Sequence, residues 1–180
     1  MVKPIGVGVI GMGVGEQHAH AFAAHPDCRL VAVCDRNPTQ LAAVAERIPA
    51  SSHYNCAEDL IDDPKVAIVS IASNDDDHYL QIVRALRSGK HVFSVKPLCL
   101  SADELRDIRD AWRQTPGARL STNTILRRSP RFRWLRDAIA NGKFGTVYCV
   151  EADYVYGRLH KLTDGWRGKI PGYSVMLGGG

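Results

Sequence analysis

Strand-like apolar runs alternate with helix-like stripes across about the first 120 residues, and this alternation restricts the fold more than any other feature of the chain. Residues 4–10 (PIGVGVI), 29–34 (RLVAVC), 66–71 (VAIVSI) and 91–95 (HVFSV) read as buried strands, with a short one near His53–Tyr54 and a sixth at 118–122 (ARLST). Helical spacing relates Ala19, Phe22 and Ala23; Leu41, Val44, Ala45 and Ile48; Leu80, Val83 and Leu86; and Leu105, Ile108 and Trp112, with a brief helix over 57–61. His25-Pro26, Pro49 and Gly89 are the expected helix stops. Such an order implies βαβ units in an α/β fold, a doubly wound parallel sheet with right-handed crossovers. Its ligand would bind beyond the carboxyl ends of the strands.

After Asn123 the pattern changes. Phe132, Leu135 and Ile139 stripe a helix that should end at Asn141-Gly142. Residues 146–156 (TVYCVEADYVY) read as a long strand with Tyr148, Val150, Ala152, Tyr154 and Tyr156 on one face, the opening of a second sheet. Residues 157–180 are rich in glycine and supply no obvious partner strand. The expected organisation is a first domain over 1–122 and, over 123–180, the incomplete N-terminal part of an α/β substrate and oligomerisation domain. The closing GGG reads as a cut inside a longer protein.

Between the first strand and the first helix lies GVIGMGVGEQH. A dinucleotide fingerprint has the form G-x-G-x-x-G. Gly11 and Gly13 fit it, but the third glycine, Gly15, comes one residue early and Glu16 takes its place. Two readings compete: a phosphate cradle formed by Gly11, Met12, Gly13, Val14 and Gly15 at a helix N-terminus, or a plain β–α turn. Asp35, at the end of the second strand and 24 residues after Gly11, favours the cradle, because an acidic side chain there can bond ribose hydroxyls. The shortened spacing is then a turn one residue tighter in a Rossmann-type sheet. Arg36 could instead grip a 2′-phosphate, so NAD is favoured with NADP as the alternative.

Composition narrows the partners. A net charge of +4 suits an anionic small molecule and does not call for nucleic acid. Five scattered cysteines without C-x-x-C spacing argue against zinc and a disulfide framework, which makes a reducing cytoplasm the expected location. No run reaches membrane-spanning length and the first residues lack a signal-peptide core, so no membrane partner is expected.

Five motifs in order resemble the glucose–fructose oxidoreductase, inositol dehydrogenase and MocA family. His18-Ala19-His20-Ala21-Phe22 follows the glycine turn, and Ala72-Ser73-Asn74-Asp75-Asp76-Asp77-His78 resembles the family's A-T-P-N-x-x-H. Val95-Lys96-Pro97 stands for E-K-P, Arg127 precedes Pro130 by three, and Trp166-Arg167 comes before Gly178-Gly179-Gly180. The resemblance implies an NAD(P)-dependent oxidoreductase that moves hydride between a sugar, cyclitol or related polyol and nicotinamide. Two departures bear on this: Val95 replaces the family glutamate, and the family's aspartate and histidine follow the G-G-G run.

Several residues carry the implied chemistry. Lys96, at the carboxyl end of the fifth strand, would orient a substrate hydroxyl and stabilise developing negative charge, touching both substrate and cofactor. The resemblance puts Ser73, Asp75, His78 and Arg127 beside the cofactor and points to Trp166 and Arg167 for the substrate; His160 joins them as a substrate candidate because it follows the strand expected to open the second domain. The general base would be the histidine after G-G-G, so residues 1–180 alone are expected to be inactive, with His160 as the base if they are not. Asn74 is expected to cap the following helix, and Asp75, Asp76 and Asp77 to complement its dipole, rather than the Asp75-Asp76-Asp77-His78 run binding metal. His18, His20 and His25 read as structural. Arg127, Arg128, Arg131, Arg133 and Arg136 read mostly as a solvated helix face; nucleic-acid binding through them would show as salt-sensitive retention on DNA. The alternative to an enzyme is a non-catalytic dinucleotide-binding or regulatory module.

Overall fold

A computed structural model of the chain describes residues 3–48, 50 and 52–178. The expected helix stop at Pro49 and the last two glycines of the G-G-G match, Gly179 and Gly180, lie outside the described residues. The chain divides into two compact units, Met1–Thr122 and Asn123–Gly180.

In the first unit, strands β1 (Ile5–Ile10), β2 (Cys28–Cys34), β3 (Ser52–Tyr54), β4 (Ile68–Ile71), β5 (His91–Val95) and β6 (Leu120–Asn123) form one sheet in the order β3-β2-β1-β4-β5-β6. The β1–β2, β1–β4, β2–β3 and β4–β5 pairs are parallel. Strand order therefore reverses between β1 and β4, which opens a crevice at their carboxyl ends, the usual place for a dinucleotide. The interleaved helices are α1 (Gly15–Ala24), α2 (Pro38–Ala45), α3 (Ala57–Asp62), α4 (His78–Arg87) and α5 (Ala102–Arg113).

The core lies in two layers. On one face Val7, Val9 and Val33 pack with Met12, Ala19 of α1 and Leu41 and Val44 of α2. On the other, Val69 and Ile71 pack with Leu60 and Ile61 of α3, Ile82 and Leu86 of α4, and Ile108 of α5. The GVGV alternation of β1 follows from this arrangement. Its valines face the first layer, while a Cβ on Gly8 would stand 2.7 Å from Leu60 Cδ2, so α3 packs directly on bare strand backbone. Leu80, expected on the buried stripe of α4, instead points outward, because Ile82, Val83, Ala85 and Leu86 make the inner face. The local signals are strong where helices begin. Asn37 caps α2 by accepting from the Thr39 and Gln40 amides, and Ser101 and Glu104 form a capping box on α5.

The second unit contains a 3₁₀ turn (Ile125–Arg128), α6 (Pro130–Ala140), α7 (His160–Thr163), a second 3₁₀ turn (Trp166–Lys169) and α8 (Val175–Gly178). The strand expected at 146–156 does not form. The segment is irregular, with Tyr148 97% and Val155 92% exposed, and no described strand lies alongside it. Alternation alone does not make a strand, since its amides and carbonyls need a neighbouring ladder.

Candidate functional site

The glycine turn is built from backbone outward. Gly11 has φ +86°, and a Cβ there would collide with the Ala72 carbonyl, so only glycine lets β1 turn this close to the end of β4. Gly15, the first residue of α1, is the packing glycine: its Cβ would stand 3.1 Å from Val9 Cγ1 and 3.2 Å from the Ala72 Cβ. Gly13 differs from both, with nothing within 4 Å of a Cβ built on it. Here the backbone borders open space that a ligand can approach, and α1 beyond it receives no capping side chain at Val14. The early third glycine thus keeps the three separate roles within a turn one residue shorter. Glu16, which would repel a phosphate, is drawn aside by Arg47, whose guanidinium lies 2.9 Å from its carboxylate.

Met12 enters the turn through its backbone. Its side chain is buried in the core, while its N–H donates to Asp35 Oδ2 (2.7 Å) and its carbonyl accepts from Gln40 Nε2 (3.0 Å). Asp35 Oδ1 accepts from the Asn37 amide (2.8 Å), so the carboxylate ties the end of β2 to the glycine turn. Arg36, exposed, reaches over to Asp77, 3.5 Å away. Burial, followed by the Asp76 carboxylate, pushes the Asp77 carboxyl above the usual range, and Arg36 partly offsets this.

On the other side of the crevice the turns after β4 and β5 meet. Ser73 donates from Oγ to Gln81 Oε1 (2.7 Å). His78 and Asp75, both expected beside the cofactor, are 0% and 2% exposed, so in this arrangement their side chains lie behind the surface. The His78 Nδ1 lies 2.7 Å from the Pro97 carbonyl oxygen and Nε2 3.1 Å from that of Ser73. Lys96 is half-buried at the end of β5, and the Lys96–Pro97 peptide is cis. Asn74 does not cap α4; Asp75–Asp77 form a turn, and the cap residue is Asp77, without a side-chain cap bond. Among the described residues no three His, Cys, Asp or Glu side chains are grouped to hold a metal.

Within the second unit, Arg127 sits in the first 3₁₀ turn and, with Arg128, Phe132, Arg133 and Arg136, lines an open cavity of about 560 Å³. His160 begins α7 and is exposed. Trp166 and Arg167 do come together: the guanidinium lies 4.2 Å from the indole centre, and its Nε donates to the Tyr173 hydroxyl at 3.0 Å.

Comparison with known proteins decides the class. A family described as "Oxidoreductase family, NAD-binding Rossmann fold", the glucose–fructose oxidoreductase, inositol dehydrogenase and MocA group, matches residues 5–123. The chain belongs to this family. Among curated relatives it is 30% identical to the D-glucoside 3-dehydrogenase of Escherichia coli K12 over 83% of the chain and 43% of that protein. It is 31% identical to the inositol 2-dehydrogenase/D-chiro-inositol 3-dehydrogenase of Lactiplantibacillus plantarum over 77% of the chain and 41% of that protein. Its structure resembles scyllo-inositol dehydrogenase from Lactobacillus casei, solved with NAD(H) and scyllo-inositol, with a TM-score of 0.74 and 26% identity over 79% of this chain and 43% of that one. The chain therefore spans less than half the length of these family members. The family model's match ends with β6, while the alignment to the Escherichia coli relative, covering 83% of the chain, runs on into the second unit. No described helix is long and apolar enough to cross a membrane.

Two further residues of the first unit carry no motif. Gln40 holds the Met12 carbonyl from one turn into α2, and its position after the Asn37 cap is the only sequence clue. Thr122, at the carboxyl end of β6, has a buried Oγ1 without a hydrogen-bond partner among the described groups.

Proposed function

We propose that the chain is the cofactor-holding part of an NAD(P)-dependent oxidoreductase that transfers hydride between a sugar, cyclitol or related polyol and nicotinamide. The observation that carries this reading is the open space against Gly13, at the point where strand order reverses, with the Asp35 carboxylate one turn away. The Gly11–Gly15 turn and the start of α1 would hold the pyrophosphate. Asp35 would accept from the adenosine ribose hydroxyls, since a carboxylate that already takes two amides has lone pairs left. A 2′-phosphate would meet that carboxylate, and Arg36 is already engaged with Asp77, so NAD is the preferred form.

Bound nicotinamide supplies the carbon that accepts or gives hydride. Lys96 orients the substrate hydroxyl and offsets the negative charge that grows on its oxygen as the proton leaves. A positioned general base contributes about 10²–10⁴-fold. The resemblance assigns that proton to a histidine following the G-G-G run, with His160 as the candidate inside residues 1–180. Arg127, Trp166 and Arg167 belong to this proposal as cofactor and substrate contacts of the second unit, which would also serve assembly into a homo-oligomer.

Titration of NADH fluorescence tests the reading. Asp35→Ala should weaken NADH binding by about 1.5–3 kcal/mol for each charge-assisted hydrogen bond lost. Equal affinity in wild type and variant removes Asp35 from the site, and tighter binding of NADPH than NADH gives the choice to Arg36.

A further inference from the structure

We propose that His78 is a positioning residue for the nicotinamide half of the cleft, acting through the Pro97 carbonyl to hold the Lys96 turn against the Ser73 turn. This rests on the dinucleotide reading above. The imidazole is completely buried, and each ring nitrogen faces a backbone carbonyl, one in the turn after β5 and one in the turn after β4. Carbonyls only accept, so a ring carrying one N–H bonds one of them, and both bonds together take a doubly protonated ring. The Pro97 contact is the shorter, at 2.7 Å, and it spans 19 residues, whereas the Ser73 contact is local. We assign the ring N–H to Nδ1, which tethers the β5 turn to the start of α4; Nε2 then lies against the Ser73 carbonyl without bonding it.

The two turns lie on the β4–β5 side of the sheet, while Asp35 and the glycine turn belong to the β1–β2 side. A dinucleotide laid across the reversal puts its adenosine over the side holding the acidic residue and its nicotinamide over the other. Loss of the tether should therefore be felt by NADH and not by ADP-ribose, which lacks the nicotinamide. A merely structural histidine would weaken both ligands or neither.

Two substitutions separate the nitrogens. In His78→Asn the amide nitrogen stands where Nδ1 stood and can keep the bond to Pro97; in His78→Gln it stands where Nε2 stood and loses it. NADH and ADP-ribose affinities are measured for wild type, both variants and Asp35→Ala, with a thermal melt of each. The expected result is NADH binding weakened about three- to ten-fold in His78→Gln, the value of one hydrogen bond, and largely restored in His78→Asn, with ADP-ribose unchanged in both. Asp35→Ala should weaken both ligands. Equal effects of Asn and Gln, or an unchanged ratio of the two ligands, overturns the proposal. Wild type that binds neither ligand overturns the dinucleotide reading instead. If a variant does not fold, wild type labelled with ¹⁵N-histidine decides: the ring N–H facing Pro97 should be protected from exchange, and a rapidly exchanging one refutes the tether.

Discussion

The three glycines of the first turn should respond to alanine in three different ways, although the sequence presents them as one motif. Gly11→Ala places a side chain at φ +86° and drives its Cβ into the Ala72 carbonyl and to 2.6 Å from the Ser73 amide nitrogen. The left-handed conformation costs roughly 1–2 kcal/mol, and a forced shift of packed backbone about 1–3 more. A loss of about 2–5 kcal/mol at roughly 4 °C per kcal/mol for a unit this size lowers the melting temperature by about 8–20 °C. Gly15→Ala meets Val9 and Ala72 at 3.1 and 3.2 Å, tight but yielding, and gains helix propensity at the start of α1. Its net change should stay within about 1 kcal/mol.

Gly13→Ala is the decisive member. Its Cβ meets nothing within 4 Å and its φ is not positive, so unfolding should move by less than about 1 kcal/mol, in either direction. If the proposed cradle holds the pyrophosphate here, the new methyl stands in its path, and NADH affinity should fall more than about ten-fold. Thermal melts without ligand and NADH fluorescence titrations of all three variants give both quantities. A Gly11→Ala protein melting within about 2 °C of wild type would refute the packing account. A Gly13→Ala protein that melts normally and binds NADH as wild type does would refute the cradle.

Burial pushes the Cys34 thiol up to about 12, with the Asp35 carboxylate adding to the effect. At pH 8 the exposed Cys56 and Cys149 should be alkylated within minutes while Cys34 stays protected until the unit unfolds, as peptide mass spectrometry would show. His18, half-buried, held 2.9 Å from the Ser70 hydroxyl and packed on Phe93, titrates below its ordinary value because burial disfavours its charge. The unfolded chain then binds more protons below about pH 6.5, so stability is full above that value and falls as the pH drops toward the folded pKa. His18→Gln should flatten the drop in melting temperature between pH 7.5 and 5.5; an identical profile would remove His18 as its source. Polyol-dependent NAD reduction followed by absorbance tests His160 as the base: His160→Ala should lower kcat if it is, and unchanged turnover would remove it from that role.

The sheet was legible in the sequence because each βαβ step repeats the same demand: an apolar run that needs cover on both faces, followed by a helix that supplies it. All six expected strands form, and the glycine turn joins β1 to α1 as its spacing implied. What escaped notice depends on neighbours distant in sequence. Asn74 looks like a cap for α4, yet three further residues turn before the helix begins at His78. His78 and Asp75 read as cofactor contacts, yet both side chains are buried, and His78 meets the Pro97 carbonyl of the β5 turn, a neighbour 19 residues away. The 146–156 segment carries a strand's alternation, but a strand is a relation between two segments and one pattern cannot supply its partner.

Asp35 shows why a motif can be right about a residue and still incomplete about its work. An acidic residue at the end of β2 is read as a selector of ribose hydroxyls. In this chain the same carboxylate accepts from the Met12 amide at 2.7 Å and from the Asn37 amide at 2.8 Å. The first bond holds the middle of the glycine turn in place; the second, with the Asn37 cap, fixes the start of α2, whose Gln40 returns to the Met12 carbonyl. Met12 is thereby gripped at both its N–H and its carbonyl, one residue before the open backbone at Gly13. Under the proposed function, replacing Asp35 by alanine would remove the ribose acceptors and also loosen the turn proposed to receive the pyrophosphate. The affinity lost should therefore exceed that of the ribose bonds alone, and ADP, which shares both contacts, should register the whole of it.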